Sequence, residues 1–409
     1  MISLLLGLLM QIGNPTPISP NVIIVILDDV GQYDVDRVYT PTIDEIANAG
    51  RNFRRGYAMP VCAPSRATLM YGIYDESLGP VCTDVATEET PNINAFSLPK
   101  IFELNGYNTA FFGKWHMGTN DVSMPWEMTP QLQGFDNVFA MVPGNVGAPC
   151  EGFEGDYYNW LAVENGVSYI ETRYQTLVLR DKFIDWWSQI RGPKFAIVSF
   201  QAAHAPFQEP PSELLPYLPT GGPGNRTNYE ELIITIDFTL SQMLSVVDVK
   251  ETYIIIIGDN GTPPNATTLE QNRDRVKTTP YEGGIRVPFS ITGPGITAGI
   301  TNSLASIVDI LPTLADVMGV SGGPMDGSSL VPILKNPNVS VHEHIFASNE
   351  GDRAVIQSRY KLIRLQNIEF FFDLTIDPRE EHPINPLLID AEIVASLRKA
   401  MNVYIARGL

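Results

Sequence analysis

"VIIVILDDVG", residues 22–31, sets six unbroken Val, Ile and Leu residues directly against a pair of aspartates. A strand with one wet face would alternate apolar and polar residues. Continuous apolarity reads instead as a strand buried on both faces, the habit of parallel sheets covered by helices. Three further runs share the texture: "FAIVSF" at 195–200, "YIIII" at 253–257 and, more weakly, "NTAFF" at 108–112. Segments with apolar residues at three- and four-residue spacing lie between them: "TIDEIANAG", "LPKIFELNG", "TLVLRDKFIDWWSQI" and "ELIITIDFTLSQMLSVV". Strand and helix alternate, so the expected class is α/β, a large and mostly parallel sheet sandwiched by helices. After about residue 320 the chain turns Gly- and Ser-rich. It then carries shorter strand-like pieces ("RAVIQ", "YKLIRL") and a helical stretch from about Asp390. The expected division is a catalytic α/β domain over 20–335 and a smaller C-terminal α+β domain over 336–409.

The polar residues just past each strand locate a site. Asp28 and Asp29 come after the first run, Lys114 and His116 after the "NTAFF" run, His204 after the "FAIVSF" run, and Asp259 and Asn260 after the "YIIII" run. In open α/β sheets ligands bind in the crevice at the carboxyl ends of strands, so these groups should converge there.

The chain has 409 residues, of which 46 are acidic and 27 basic, for a net charge of -19. Neutralising nucleic-acid phosphates needs a basic face, so nucleic acid is not expected as a general partner of a chain with this balance. An anionic substrate would need local cations working against the overall field. Three cysteines (Cys62, Cys82, Cys150) do not make a disulfide framework; Cys82 and Cys150 could pair or stay as separate thiols. The opening "MISLLLGLLMQIGNPTPISP" is a loose match to a secretory leader and too short to span a bilayer. A periplasmic or secreted protein is expected, with the cytoplasm as the alternative. No later run is long and apolar enough for a membrane helix.

Asp28, Asp29, Asp259 and Asn260 are hard oxygen donors, suited to Ca²⁺, with Mg²⁺ as the other cation of that kind. Singly, an Asp pair caps a helix and Asp-Asn-Gly makes a turn. Two such pairs at the ends of buried strands point to a cation. Arg66, Lys114, His116, His204 and Lys277 supply positive or proton-carrying groups. Beside a metal they suit a tetrahedral anion whose charge spreads over several oxygens. Cys62 remains unplaced by this logic. No second Cys or His lies near enough in sequence for a metal knuckle, and none to lower the thiol's pKa.

"CAPSR" at 62–66 with the adjoining "ATLMYG" resembles the first signature of the sulfatases, and "GKWHMG" at 113–118 the second. "VIIVILDDVG" is similar to the family's opening strand and Asp pair, "GDNGT" to its second metal-binding turn, and "KTTPYEGGIRVP" at 277–288 to a further segment. Weaker echoes are "GFD" at 134–136, "VDILPTLADVMG" at 308–319 and "FFDLTIDPREE" at 371–381, so the resemblance runs in order from about residue 20 to 381. It implies the alkaline-phosphatase-like fold and sulfate monoester hydrolysis. It also implies that a separate formylglycine-generating enzyme oxidises Cys62 to formylglycine. One hydroxyl of the hydrated aldehyde then attacks sulfur, and the second lets the sulfated adduct collapse.

By the same resemblance Asp28, Asp29, Asp259 and Asn260, with the modified side chain of Cys62, would bind Ca²⁺. Arg66 would hold the hydrate, and Lys114 and Lys277 would contact sulfate oxygens. His116 would deprotonate the second hydroxyl, and His204 would protonate or bind the leaving oxygen. The substrate would be a sulfated small molecule or carbohydrate.

"YGIYDESLGPVCTD" departs from the family's usual continuation, and the Gly-rich loop at 143–159 carries Phe153, Tyr157 and Tyr158, with Trp160 at its end. Such aromatics would stack on a sugar or aryl group, or pack inward. Two other readings compete: a phosphodiesterase or phosphonate monoester hydrolase of the same superfamily, and a sulfated-glycan binder without turnover. The intact Cys62, His116 and His204 argue against the binder.

Overall fold

The computed structural model describes residues 19–78, 96–117, 125–141, 144, 155–217, 219, 221 and 224–408. The leader-like N-terminus, Cys82, Cys150, Gly118 and Phe153 lie outside them.

The strand Asn21–Leu27 takes the centre of a ten-stranded sheet. It pairs in parallel with Thr252–Gly258 on one side and Lys194–Ser199 on the other. Asn108–Lys114 and Asn137–Met141 extend the parallel block beyond Lys194–Ser199. Antiparallel pairings follow on both flanks. Phe289–Thr292 and Arg51–Phe53 lie on one side, then Gly299–Thr301, which runs parallel to Arg51–Phe53. Trp160–Glu164 and Val167–Glu171 lie on the other.

The period of two in a strand divides the central run between two cores. Val22, Ile24 and Ile26 pack with Ile255, Ile257, Ile197 and Phe111, under Ala67, Leu69 and Met70 of the helix Cys62–Tyr71. Ile23, Val25 and Leu27 pack with Ile254, Ile256 and Val198, under the helices Gln175–Gln189 and Arg226–Leu244. All six strand residues are buried, each contributing roughly 1.5–3 kcal/mol. The expected mostly parallel, helix-sandwiched α/β class is the class observed.

Near the C-terminus Ile345–Asn349, Asp352–Ile356, Tyr360–Leu365 and Ile368–Asp373 form a separate antiparallel sheet. Val355, Leu362 and Phe371 on one face receive Leu397 and Met401 of the helix Ala391–Ile405. Ala354, Ile356, Ile363 and Phe372 on the other join the main core. No helix among the described residues is long and apolar enough to cross a membrane.

Candidate active site

Leu27 and Gly258 are paired at the ends of adjacent parallel strands, which brings Asp28-Asp29 beside Asp259-Asn260. The Asp259 amide donates to the Leu27 carbonyl at 3.1 Å, and the Asp29 amide donates to Asp259 Oδ1 at 3.1 Å. Asn260 Nδ2 donates to Asp29 Oδ1 at 2.8 Å. All four side chains are buried.

Cys62 opens the helix Cys62–Tyr71 and points its thiol at this acidic group, with Sγ 3.3 Å from Asp28 Oδ1 and 3.8 Å from Asp29 Oδ1. Ser65 secures that entry, since its hydroxyl accepts from the Met59 amide at 2.9 Å and also contacts the Asp259 carbonyl. Lys114, at the end of its strand, places Nζ 2.6 Å from Asp28 Oδ2 and 3.5 Å from Cys62 Sγ. Lys277 mirrors it, 2.5 Å from Asp29 Oδ1 and 3.5 Å from the same sulfur. Two ammonium groups and two carboxylates thus surround one sulfur atom.

Arg66 faces the acidic group and the strand ends. Its Nε and one terminal nitrogen reach Asp259 Oδ2 at 3.1 and 2.8 Å, and the other terminal nitrogen donates to the Lys114 carbonyl and Ser199 Oγ, both at 2.6 Å. It makes no hydrogen bond to Cys62, because the carboxylate and strand ends claim its donors. The guanidinium therefore ties the Cys62 helix to three strand ends. That junction needs a bare backbone at Gly113, whose φ is +104°. A Cβ there would stand 1.9 Å from the Ser199 carbonyl oxygen.

The two histidines flank this group. His204 Nδ1 donates to the Ala205 carbonyl at 2.7 Å, which leaves Nε2 facing Asp29 Oδ2 at 3.8 Å. Burial outweighs the Asp29 charge and pushes its pKa down to about 3, so the free imidazole is neutral with its lone pair on Nε2. His116 is buried, and its Nδ1 has no hydrogen-bond partner among the described residues. Burial first, then Lys114 and Arg66, drive its pKa well below the usual imidazole range.

Burial, then Asp259 and Asp28, raise the Cys62 thiol well above its ordinary value despite the two nearby lysines. The unmodified sulfur is therefore a thiol and a poor nucleophile. Burial and Asp259 also push Asp28 up to about 7. Burial would raise Asp29 too, but Lys277, His204 and Lys114 together outweigh it and move that carboxyl down.

Every expected site residue lies at this crevice. Ser65, Ser199, Asp34 and Tyr229 are participants that sequence reasoning missed. Ser65 stood inside the quoted "CAPSR" run and Ser199 closed a recognised strand, so both had a signal. The Tyr157 hydroxyl donates to the His204 carbonyl at 2.9 Å. Tyr157 and Trp160 are buried and cannot stack on a substrate; Tyr158 is the aromatic of that loop left exposed among the described residues.

The family described as Sulfatase matches residues 20–320. The chain belongs to the sulfatase family. Sulfatases are sulfuric ester hydrolases, and this chain is one of them by family. Arylsulfatase G of Mus musculus is 25% identical over 443 residues, covering 92% of this chain and 82% of its own. Arylsulfatase A of Homo sapiens is 26% identical over 425 residues, covering 92% and 80%. The crystal structure of Ps i-CgsB in complex with k-i-k-neocarrahexaose shares the fold, with a TM-score of 0.81, 23% identity, and coverage of 96% of this chain and 94% of that one.

The residues present fit the divalent cation that the family implies. One ligand atom from each of Asp28, Asp29, Asp259 and Cys62 lies within 4.8 Å of all the others. Asn260 Oδ1 is buried with no hydrogen-bond partner among the described residues, although its amide nitrogen is engaged. A buried orphan oxygen beside three carboxylates is a donor left for a hard cation.

Proposed function

We propose that this sulfatase hydrolyses the sulfate monoester of a carbohydrate, using a formylglycine made from Cys62 by a separate modifying enzyme. Asp28, Asp29, Asp259 and Asn260, with the modified residue, would hold a divalent cation, for which the all-oxygen protein donors favour calcium. The observation that carries the reading is the setting of Cys62. Its sulfur occupies the nucleophile's place, 3.5 Å from each lysine nitrogen, yet a soft thiol is a poor partner for the hard oxygen donors gathered around it. A side chain that must be converted before it can react accounts for both facts. The sugar class is supported by the hexaose complex among the fold's solved relatives.

The hydrated aldehyde supplies the attacking hydroxyl, and the cation, when bound, lowers the cost of ionising it. The chain's own groups do the remainder. Lys114 and Lys277, on opposite sides of residue 62, donate to the sulfate oxygens and stabilise charge that grows in the transition state. His204 presents Nε2 to the leaving oxygen. Because that nitrogen is bare in the free chain, its proton must arrive as the anionic ester binds and raises its basicity. His116, kept neutral by burial and its cationic neighbours, has a free Nδ1 to accept a proton during release of sulfate. Arg66 positions Asp259 and does not touch substrate.

Turnover of sulfated sugars, an aryl sulfate and an aryl phosphate diester should be measured beside the mass of the Cys62 peptide. Sulfate turnover should rise in proportion to the modified fraction and vanish in Cys62→Ala. Equal rates from protein whose Cys62 is wholly unmodified would sink the nucleophile assignment. Faster diester hydrolysis would sink the substrate class.

A further inference from the structure

We propose that Asp34 is the positioning residue of the cation site, holding its two acidic loops in register through the first turn of the helix Arg226–Leu244. The inference rests on the cation site assigned above. Asp34 contributes no atom to the group of prospective ligands, yet its fully buried carboxylate collects donors from both loops. The Gly31 amide, two residues after Asp29, donates to Oδ2 at 3.0 Å. The Thr262 hydroxyl, two residues after Asn260, donates to the same oxygen at 2.7 Å. The Tyr229 hydroxyl lies 2.8 Å from that oxygen and 2.8 Å from the Asp29 backbone carbonyl. Arg226, also fully buried, donates to Asp34 Oδ1 at 2.6 Å, to Glu230 at 2.7 Å and to the Ala266 carbonyl at 3.2 Å.

This arrangement does more than fill the interior. The residues just beyond each acidic pair are fastened to one carboxylate, and the carbonyl of Asp29 itself is reached through Tyr229. Lys114, Lys277 and Arg66 already answer the charges of Asp28, Asp29 and Asp259, so what the brace adds is the placement of the two loop backbones that carry the prospective ligands. Groups that orient metal ligands from behind typically change metal affinity by about 10–100-fold when removed.

The test compares full-length wild-type protein with Asp34→Asn and Tyr229→Phe. Each is stripped with chelator and titrated with calcium chloride by calorimetry, with thermal melting recorded with and without calcium. Asp34→Asn should bind calcium about 10–100-fold more weakly, and Tyr229→Phe about tenfold. Raising calcium should restore kcat in both. A purely structural role would lower the melting temperature of the calcium-free and calcium-loaded proteins alike and leave affinity unchanged. Wild-type calcium affinity in Tyr229→Phe overturns the proposal, even if Asp34→Asn fails to fold. If the wild-type protein itself takes up no calcium, the cation reading of the site falls, and this inference falls with it.

Discussion

Gly144 lays bare backbone against the imidazole of His116. Its φ is +98°, in the left-handed region, and a Cβ there would stand 2.2 Å from His116 Cδ2 and 2.9 Å from Nε2. Gly144→Ala must therefore push the ring aside or strain the loop. Positioned acid–base groups contribute about 10²–10⁴-fold to rate, so kcat should drop at least ~100-fold with KM for the same ester little changed. Steady-state kinetics measures both, and an undiminished kcat would remove His116 from the chemistry. The sequence marked Gly144 only as one glycine of a Gly-rich loop, because what makes it necessary is a ring 28 positions earlier in the chain. His116, by contrast, was legible from its place just beyond a buried strand.

At the scale of elements, the strands that were legible are those buried on both faces. Their unbroken Val and Ile runs have one reading, and the rule that ligands gather at strand ends then located the site. The flanking strands left no such trace. Arg51–Phe53 has three residues. Val167–Glu171 lies at the sheet's edge with Val167 66% and Ile170 46% exposed, so its composition resembles a loop. The long helices were legible from their spacing, although Arg226–Leu244 starts a turn and a half earlier than its apolar pattern suggests. That early turn brings in Arg226 and Tyr229, whose partners at Asp29 and Asp34 lie some two hundred residues away. No local pattern encodes such a link.

Across the whole molecule, the small C-terminal sheet is fastened to the region beyond the Cys62 helix by Asp75. Its carboxylate accepts from Ser348 Oγ at 2.5 Å and from the Tyr404 hydroxyl at 2.7 Å. Burial raises its pKa from 3.8 to about 6, although the two hydroxyls oppose the shift. A carboxyl whose folded pKa lies above its unfolded one favours the folded state most when protonated. That stabilisation is complete below about pH 4 and is lost as pH rises through 6. Two pKa units would correspond to about 3 kcal/mol, and partial solvent access reduces this to on the order of 1–2 kcal/mol. Asp75→Asn should thus gain stability relative to wild type between pH 4 and 6 and hold that gain above it. Urea unfolding at several pH values measures the difference, and a flat difference would show that Asp75 titrates normally.

The enclosure of Cys62 also dictates an order of events in the protein's making. Only 3% of the residue meets solvent, and carboxylates and ammonium groups close around its sulfur. A second protein would have to displace these groups to bring an oxidising centre to that atom once the sheet has assembled. On the function proposed above, conversion to formylglycine would therefore come before folding, while the stretch from Met59 to Gly72 is still an extended chain. Folded thiol-form protein mixed with the modifying enzyme should remain a thiol, whereas the free peptide of that stretch is converted, as mass spectrometry would show.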